Sequence, residues 1–480
     1  MSLFTPGRRW QSPFLPFKKE KFGKRLLRRI ERWVKGPLFG CRMCGNCLLQ
    51  ETAFICSMEC PKGMRNGPCG GSSAERCYVD ETRPCIWYKI YERAFKMGRE
   101  EILLEVLPPL DWDKVGTETW GDVTRQIRKF GTGTFLKSLL SRDKVKKSFA
   151  WDSVFRPVRQ PEWWQGDSEY HPPVYEEAIS ELERQLRSGK FVVTTEVAPP
   201  LGTATGKLMR DIEMVKNHVA AVNFTDSASA SPRMSSMACC KVAAELNADP
   251  VLQIAARDKT RSGLQSDIVG ANLMGVRNVL CISGDNARIG PSPTSNTNIL
   301  DVDAVQMLWI LRKMRDEGTY LDGRKMKSSP QLFLGAAASP FASEPKFQAL
   351  REHKKMNAGA QFFQTNLIFD PDGLDRWLEA LYARDILDKV YILAGVTPIR
   401  SNKMAQYLHY KIPGVTVPEK ILKRFESASE ETYEELGIQI ALEIIESIKT
   451  KRGINGLHLM SVGWESVVPR IISEAGLNIK

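Results

Sequence analysis

The sequence lacks any long apolar run. No stretch of about 18 apolar residues occurs, so we predict no transmembrane helix. Residues 1–40 contain no apolar core of the kind found in secretory signals, so we predict no export. In a cytoplasmic protein, clustered cysteines are seldom used for disulfide bonds. We therefore expect a cytoplasmic protein whose clustered thiols bind metal.

The usual nucleotide-binding motifs are also missing. GxxxxGK[ST] does not occur, and the Gly-Thr-Gly at 131–133 does not follow a clear strand. A P-loop or Rossmann domain is therefore unsupported. The five histidines are scattered and none pairs with another at ligand spacing, so a histidine metal site has little support. These absences do not exclude a redox cofactor, since a barrel can bind flavin or nicotinamide without either motif.

Positive charge is concentrated at the start of the chain. Residues 1–40 carry eleven Lys and Arg against Glu20 and Glu31, which accounts for +9 of the net charge of +12. We treat 1–40 as a basic N-terminal extension. A basic segment suggests an acidic partner, nucleic acid or a membrane surface.

The extension also shows helical periodicity. Our favoured interpretation is a helix whose apolar face packs on its own protein and whose basic face is solvated. Docking to an acidic redox partner ranks second. Nucleic acid ranks third, because nothing downstream resembles a reader domain, and an arginine-rich transit peptide is a further alternative. The apolar positions are Phe22, Leu26, Ile30, Trp33 and Val34, and the basic ones are Lys24, Arg25, Arg28, Arg29 and Arg32.

Cysteine is the most informative residue type in the chain. C-x₂-C-x₂-C at 41–47 and C-x₃-C-P at 56–61 are typical fragments of ferredoxin-type sequences, although an inserted loop separates them. Eight thiolates suffice for two [4Fe–4S] clusters or for two Cys₄ zinc sites. We favour iron–sulfur and keep zinc as the alternative. The eight cysteines are Cys41, Cys44, Cys47, Cys56, Cys60, Cys69, Cys77 and Cys85.

The N-terminal part divides further by composition. We assign 41–110 to a cysteine-rich metal domain that a helix over 86–107 closes. Residues 111–175 are rich in Trp, Pro and Lys, and we interpret them as a linker or collar with one helix near 122–141. Their aromatic content indicates that they pack against another part of the protein. The remaining cysteines, Cys239, Cys240 and Cys281, are expected to be buried structural thiols.

From residue 176 onward, short β-rich runs alternate with longer amphipathic ones. Eight strand–helix units in about 300 residues predict a (β/α)₈ TIM barrel over 176–480. A doubly wound open sheet is the alternative, but it usually has fewer strands. The predicted strands are 191–198, 220–226, 251–257, 278–284, 331–337, 360–366, 389–395 and 456–462.

In such a barrel the chemistry lies where strands end. Glu196 ends an apolar strand, and partial desolvation there would raise its pKa and suit a general acid. The alternative is a capping or salt-bridged Glu. Asp285 follows Gly284, which would let a flat ligand approach closely, although a turn-forming Asp is the simpler interpretation. The same rule selects Thr225, Arg257, Asp258 and Asn366.

Residues from about 190 to 478 resemble the methylenetetrahydrofolate reductases, which are flavin-containing (β/α)₈ barrels. The likeness rests on four stretches in order: TTEVAPP, VNFTDSASASPR, RDKTRSGLQSDIVGANLMGVRNVLCISGD and HKKMNAGAQFFQTNLIFD. The first 110 residues resemble the small cysteine-rich subunit, or fused domain, that accompanies such reductases in acetogens. CPKGMRNGPCGG and the later Cys77 and Cys85 carry that likeness.

The resemblance implies roles for individual residues. Glu196 would protonate the N10 side of 5,10-methylenetetrahydrofolate, and Asp285 would lie near both the flavin and the pterin. Asn366 stands where the family has a pterin-binding Gln, so a modified pterin such as tetrahydromethanopterin is conceivable. The flavin would be FAD, with FMN as the alternative, and its expected contacts are Thr225, Gln253 (a His in many members), Asp258, Asp285 and Lys355.

The resemblance also implies partners. Electrons would enter through the cysteine domain from a ferredoxin-like or larger electron-transfer protein, and we expect an oligomer or a larger complex without nucleic acid. The alternative is the same reductase with a zinc-stabilised docking domain that relays no electrons.

Overall fold

The structure, a computed structural model, describes residues 21–292, 300–412 and 414–477. Residues 1–20 of the basic extension and 478–480 of the predicted barrel domain lie outside the described residues. No helix in the described ranges has the length and apolar character needed to cross a membrane.

Eight parallel strands close into a barrel in sequence order, which confirms the predicted (β/α)₈ fold. Strand β1 pairs with β2 on one side and with β8 on the other, so that Thr194 lies between Ala221 and His458. Strands buried on both faces are expected to be rich in apolar residues, as they are here, although β1 and β6 also carry polar residues near their carboxyl ends. The strands are β1 (Val192–Val197), β2 (Ala221–Phe224), β3 (Pro250–Ala255), β4 (Asn278–Ile282), β5 (Phe333–Ala338), β6 (Phe362–Leu367), β7 (Tyr391–Val396) and β8 (Gly456–Leu459).

Helices precede, cover and follow the barrel. The N-terminal unit contains α1 (Phe22–Phe39), α2 (Ile86–Lys96), α3 (Trp120–Phe130), α4 (Thr132–Leu140) and α5 (Lys144–Arg159). The barrel unit contains α6 (Glu181–Arg187), α7 (Gly206–Val215), α8 (Ser236–Glu245), α9 (Arg261–Leu273), α10 (Ala304–Glu317), α11 (Pro345–Ala358), α12 (Pro371–Tyr382), α13 (Asn402–Lys411), α14 (Glu419–Ser427), α15 (Tyr433–Ile448) and α16 (Val468–Glu474).

The amino ends of the strands are filled by apolar side chains. Phe333 and Phe362 stack there with ring centroids 4.9 Å apart, inside a cluster that includes Val192 and Leu393. Gly335 makes room for this stack, because a Cβ at that position would lie 2.2 Å from the Phe362 ring. This apolar packing closes the amino end of the barrel and leaves the carboxyl ends of the strands for a cavity.

The N-terminal helices differ in detail from the predicted ones. The helix expected over 86–107 ends at Lys96 and is followed by a short 3₁₀ turn, Glu100–Leu104. The helix expected near 122–141 is two helices, α3 and α4, which Gly131 separates with a φ of +97°. Residues 144–159, expected in the linker, form α5.

The N-terminal unit packs directly on the barrel. Trp164 is fully buried and stacks on Trp309 of α10, with ring centroids 4.0 Å apart. Gln348 of α11 donates a hydrogen bond to the Tyr88 hydroxyl at 2.7 Å. One continuous apolar core includes residues of α2 and of the barrel helices. The aromatic residues before the barrel thus fix the cysteine-rich segment against it.

The favoured orientation of α1 was wrong. Its apolar side chains face solvent, with Phe22 80% and Trp33 79% exposed. Its polar side faces the protein, where Glu31 and Lys35 are buried. Glu31 accepts hydrogen bonds from the backbone N–H and the hydroxyl of Thr119. Because these buried groups are paired with one another and with Thr119, burying the polar side is physically tolerable.

Candidate functional site

A cavity of about 620 Å³ lies at the carboxyl ends of the barrel strands. Both units of the chain line it, because a loop of the cysteine-rich segment, residues 66–71, forms part of its wall. Six of the residues predicted to act in catalysis or to bind flavin or pterin are brought together on its wall: Glu196, Thr225, Gln253, Asp285, Lys355 and Asn366.

Glu196 is near the end of β1 and its carboxyl group faces the cavity. Burial, together with the negative charge of Glu465, raises the pKa of Glu196 to about 7. His458 Nε2 lies 3.9 Å from Glu196 Oε2, but burial lowers the pKa of His458 to about 4, so the ring is neutral near pH 7. Glu196 can therefore be protonated near neutral pH and donate a proton into the cavity.

A layer of polar side chains inside the barrel lies beside Glu196. Gln364 Nε2 donates to Asn223 Oδ1 at 3.2 Å and to Thr194 Oγ1 at 3.3 Å, and Thr194 Oγ1 lies 3.0 Å from His458 Nδ1. Neither Gln364 nor His458 was predicted from the sequence. The available signal for Gln364 was the run of three polar residues, Gln364 to Asn366, near the end of an otherwise apolar strand.

Asp285 is held by contacts from both units. Tyr78 of the cysteine-rich segment donates its hydroxyl hydrogen bond to Asp285 Oδ1 at 3.1 Å. The backbone N–H of Ser229 donates to Oδ2 at 2.7 Å. Gly284 has a φ of +72°, and a Cβ there would lie 2.9 Å from that of Ala255. The carboxylate is therefore fixed at the rim of the cavity.

Lys355 and Arg351 of α11 supply buried positive charge at the cavity wall. Burial, together with the charge of Arg351, lowers the pKa of Lys355 to about 7. Lys355 Nζ donates to the Ala337 carbonyl at 2.5 Å and lies 3.8 Å from Glu352. The Nε of Arg351 is buried without a hydrogen-bond partner. An anionic group in the cavity would satisfy this donor and favour the charged form of Lys355.

Asn366 and Asp258 depart from the expected arrangement. Asn366 Oδ1 accepts a hydrogen bond from the backbone N–H of Leu367 at 2.9 Å. Asp258 is exposed and is not among the described residues that line the cavity. Its carboxylate is paired with Arg257 at 2.6 Å, and Arg257 Nη1 donates to the Asp285 carbonyl at 3.1 Å. Asp226, which the sequence analysis missed, lines the cavity instead, and burial raises the pKa of its carboxyl.

The eight clustered cysteines fall into two sets of four. Each set lines its own small cavity in the cysteine-rich segment. We call them the outer and the inner thiol pocket. The outer pocket contains Cys41, Cys44, Cys47 and Cys56, and the inner pocket contains Cys60, Cys69, Cys77 and Cys85.

The two thiol pockets share a geometric property. In each, four thiols face a common space, and all eleven cysteines of the chain are free. Yet in the described parts of the chain no three His, Cys, Asp or Glu side chains converge closely enough to hold one metal ion. Four thiols around one space suit either a Cys₄ zinc site or a four-iron cluster.

The inner pocket reaches the barrel cavity, because Cys69 lines both. Although burial opposes it, Lys62 and the Ser72 hydroxyl lower the pKa of the Cys69 thiol. Lys62 Nζ also donates to the Gly284 carbonyl at 2.8 Å, which ties the pocket to the end of β4.

A short series of contacts runs from Cys69 to Asp285. Cys69 Sγ lies 3.4 Å from Ser72 Oγ, which accepts a hydrogen bond from the Tyr78 backbone N–H at 3.1 Å. The Tyr78 side chain then contacts Asp285. The sequence analysis could not find Tyr78, because its significance depends on how the two units dock.

Comparison with known proteins agrees with this arrangement. Residues 181–476 match the family model described as methylenetetrahydrofolate reductase, and residues 24–113 match one described as methylene-tetrahydrofolate reductase C terminal. No curated protein matches the chain.

Solved structures with a similar barrel include an uncharacterized protein from Clostridium thermocellum that binds two copies of 5-methyl-5,6,7,8-tetrahydrofolic acid. It is 14% identical with a TM-score of 0.44, and the match covers 62% of this chain and 98% of that one. Riboflavin lyase with modified FMN and riboflavin is 10% identical with a TM-score of 0.37, and the match covers 60% of this chain and 92% of that one. At this similarity neither structure bears on function. The family-model match spans more than half of the chain, so the chain belongs to the methylenetetrahydrofolate reductases and is an oxidoreductase of that type.

Proposed function

We propose that this protein interconverts 5,10-methylenetetrahydrofolate and 5-methyltetrahydrofolate in the cytoplasm, with electrons delivered through the two thiol pockets. Reduction of the methylene compound consumes two electrons and two protons. The observation that carries the proposal is Cys69, a single side chain that lines both the inner thiol pocket and the barrel cavity. Reducing equivalents held in that pocket would reach the barrel cavity without crossing solvent.

Glu196 is the general acid of the proposal. A carboxyl group with a pKa of about 7 is partly protonated at neutral pH and can donate to the N10 side of the bound substrate. Opening of the five-membered ring then leaves an electrophilic carbon on N5. In the oxidation of methyltetrahydrofolate the Glu196 carboxylate takes the proton back, because both directions pass through the same transition state.

A flavin would supply the hydride when bound, and the residues present fit one. The unpaired Nε of Arg351 and the buried Lys355 suit its phosphate. Thr225 and Gln253 line the part of the cavity near β2 and β3. Asp258 acts indirectly in the proposal, by orienting Arg257 toward the Asp285 carbonyl. We propose FAD, with FMN as the alternative, and the mass of the extracted chromophore identifies which is bound.

Asp285 and Asn366 would orient the pterin. Asp285 presents a fixed carboxylate that can accept hydrogen bonds from pterin N–H groups. The Asn366 amide is one methylene shorter than the Gln of the family, and its oxygen is already used by Leu367. A pterin must therefore come closer or bind through water, or the substrate is a modified pterin such as tetrahydromethanopterin.

We propose two [4Fe–4S] clusters for the thiol pockets, with zinc as the alternative, because four cysteines line each pocket and the C-x₂-C-x₂-C and C-x₃-C-P fragments are typical of ferredoxin-type sequences. The outer pocket would receive electrons from a ferredoxin-like or larger protein. That all eleven cysteines are free thiols suits a reducing compartment.

Anaerobic purification followed by metal analysis and a dye-linked assay tests the proposal. We expect about eight iron atoms per chain, a bound flavin, and methyltetrahydrofolate-dependent reduction of a viologen dye. Stoichiometric zinc with little iron would instead support the docking-domain alternative. A flavin-loaded enzyme without any turnover of the folate would refute the assigned reaction.

A further inference from the structure

The two thiol pockets occupy different positions relative to the barrel. The inner pocket shares Cys69 with the barrel cavity. Among the described lining residues, the outer pocket shares none with that cavity. Its wall includes Glu31 and Lys35 of α1 instead. An electron that reaches the barrel through both pockets therefore enters at the outer one, on the side covered by α1.

The covering helix is anchored at the outer pocket by its polar side. Lys35 Nζ lies 2.5 Å from Glu31 Oε1 and 3.7 Å from Cys47 Sγ, and it donates to Thr119 Oγ1 at 2.8 Å. These contacts fix the rotation of α1 about its axis. The opposite side of the helix must consequently face away from the protein.

The outward side of α1 carries a stripe of large apolar side chains. They recur at intervals of four, four and three residues, so they form one row about 16 Å long on the helix surface. An exposed apolar row of this kind marks an interaction site more often than ordinary surface. The row, which we call the apolar stripe, consists of Phe22, Leu26, Ile30 and Trp33, all exposed.

Positive charge flanks the apolar stripe. The only acidic residue of the helix is Glu31, which is buried on the opposite side. A second copy of this chain is a poor occupant, because apposing two such faces would bring like charges together. An acidic protein surface with an apolar centre is complementary in both respects. The exposed basic residues are Lys21, Lys24, Arg25, Arg29 and Arg32.

We infer that the apolar stripe and its basic flanks are the docking surface for an acidic electron-transfer protein. The inference rests on the proposed function and identifies where its electron donor binds. A lipid surface would match the charge and the apolar row, but it brings no redox centre to the outer pocket that lies beneath α1. The proximity of Lys35 to Cys47 therefore favours a redox protein over a membrane.

The test compares a protein donor with a small one, using the full chain loaded with metal and flavin. The donors are a reduced, acidic two-cluster bacterial ferredoxin and a reduced viologen dye, and the readout is methyltetrahydrofolate formation. The variants are Ile30→Glu/Trp33→Glu in the apolar stripe and Arg25→Glu/Arg29→Glu in the flank. The matched control is Leu273→Glu, which places the same charge on an exposed apolar residue of α9.

We expect the KM for ferredoxin to rise about tenfold or more in both docking variants, because apolar anchors and flanking charges both contribute to such interfaces. The dye-driven rate and the iron content should equal those of the wild type, and Leu273→Glu should leave both donors unaffected. In the charge-reversed variant the dependence of the ferredoxin KM on salt should weaken.

Several results would overturn the inference. An unchanged KM for ferredoxin in both variants would do so. So would an equal loss of the rate of methyltetrahydrofolate formation with ferredoxin and with the dye, or a wild-type rate that does not saturate with ferredoxin. If the docking variants no longer co-sediment with phosphatidylglycerol vesicles while their KM for ferredoxin equals that of the wild type, the occupant of the apolar stripe is a membrane instead. A wild-type protein that forms no methyltetrahydrofolate with either ferredoxin or the dye would refute the proposed function itself.

Discussion

Substitution of Glu196 by Gln separates proton donation from binding. The variant keeps the size and a hydrogen-bonding group of the side chain but cannot donate the proton. General acid catalysis typically contributes about 10²–10⁴-fold to the rate. We therefore expect reduction of methylenetetrahydrofolate to fall by a factor in that range, while flavin content is retained and the thermal midpoint at pH 7 is no lower than that of the wild type.

The pH dependence gives a sharper test, because burial and the charge of Glu465 raise the pKa of Glu196 from its ordinary value of 4.5 to about 7. At pH 7 about half of the Glu196 side chains are protonated, against about 0.3% for a carboxyl with the ordinary value, a gain of roughly 150-fold in the active acid. The rate of reduction should be constant below about pH 7 and should fall tenfold per pH unit above it.

The reverse reaction should show the opposite dependence. Oxidation of methyltetrahydrofolate needs the Glu196 carboxylate, so its rate should rise with pH up to about 7 and then level off. The assay is single-turnover kinetics in both directions across this range. The acid assignment would be refuted if the rates of reduction and oxidation changed with pH in the same sense. It would also be refuted if Glu196→Gln kept the pH dependence of the wild type. Glu245→Gln, at an exposed site on α8, is the matched control.

The same pKa predicts a stability effect with a definite sign. Because the folded-state pKa of Glu196 is raised, the contribution of Glu196 to the free energy of unfolding is fully present below pH 4.5 and is lost as the pH rises through about 7. The cost of the buried carboxylate above that pH is about 3 kcal/mol. Glu196→Gln should therefore match the wild type in thermal midpoint at about pH 4 and exceed it at about pH 8. A lower midpoint at the higher pH would contradict the electrostatic account.

Three further substitutions test the surroundings of the site. Glu465→Gln removes a negative charge that raises the pKa of Glu196. The pH above which the rate of reduction falls should therefore be lower in this variant in the same single-turnover assay. Tyr78→Phe removes the hydrogen bond to Asp285, and we expect the KM for the pterin to rise about tenfold at unchanged iron and flavin content. Cys69→Ser should lose about four of eight iron atoms, whereas Cys239→Ser, outside both pockets, should lose none; equal iron in the two variants would contradict the pocket assignment.

The barrel was predictable because its strands are buried on both faces. Such strands are rich in apolar residues, and the residues at their carboxyl ends can be selected as site candidates without any knowledge of side-chain packing. Glu196 and Asp285, which line the cavity, were selected in this way. Gln364 and His458 were not, although both line the cavity, because the rule that chemistry lies at strand ends passes over polar residues within a strand.

The orientation of α1 was not predictable from periodicity. A period of 3.6 residues establishes that a helix has an apolar side, but it does not tell which neighbour that side contacts. The orientation is decided by Thr119, 88 residues downstream of Glu31, whose backbone and hydroxyl pair with that buried carboxylate. Compensation of a buried charge by a distant residue leaves no periodic signal in the sequence.

Docking of the two units has a consequence for how the site is completed. Asp285 belongs to the barrel, but one of its two carboxylate oxygens is bound by Tyr78, which follows Cys77 of the inner pocket directly. A shift in the backbone around the inner pocket would therefore move the hydroxyl that orients the carboxylate beside the proposed pterin site. In the proposed function this contact makes the position of Asp285 depend on an intact inner pocket, so loss of metal there would impair pterin binding as well as electron delivery.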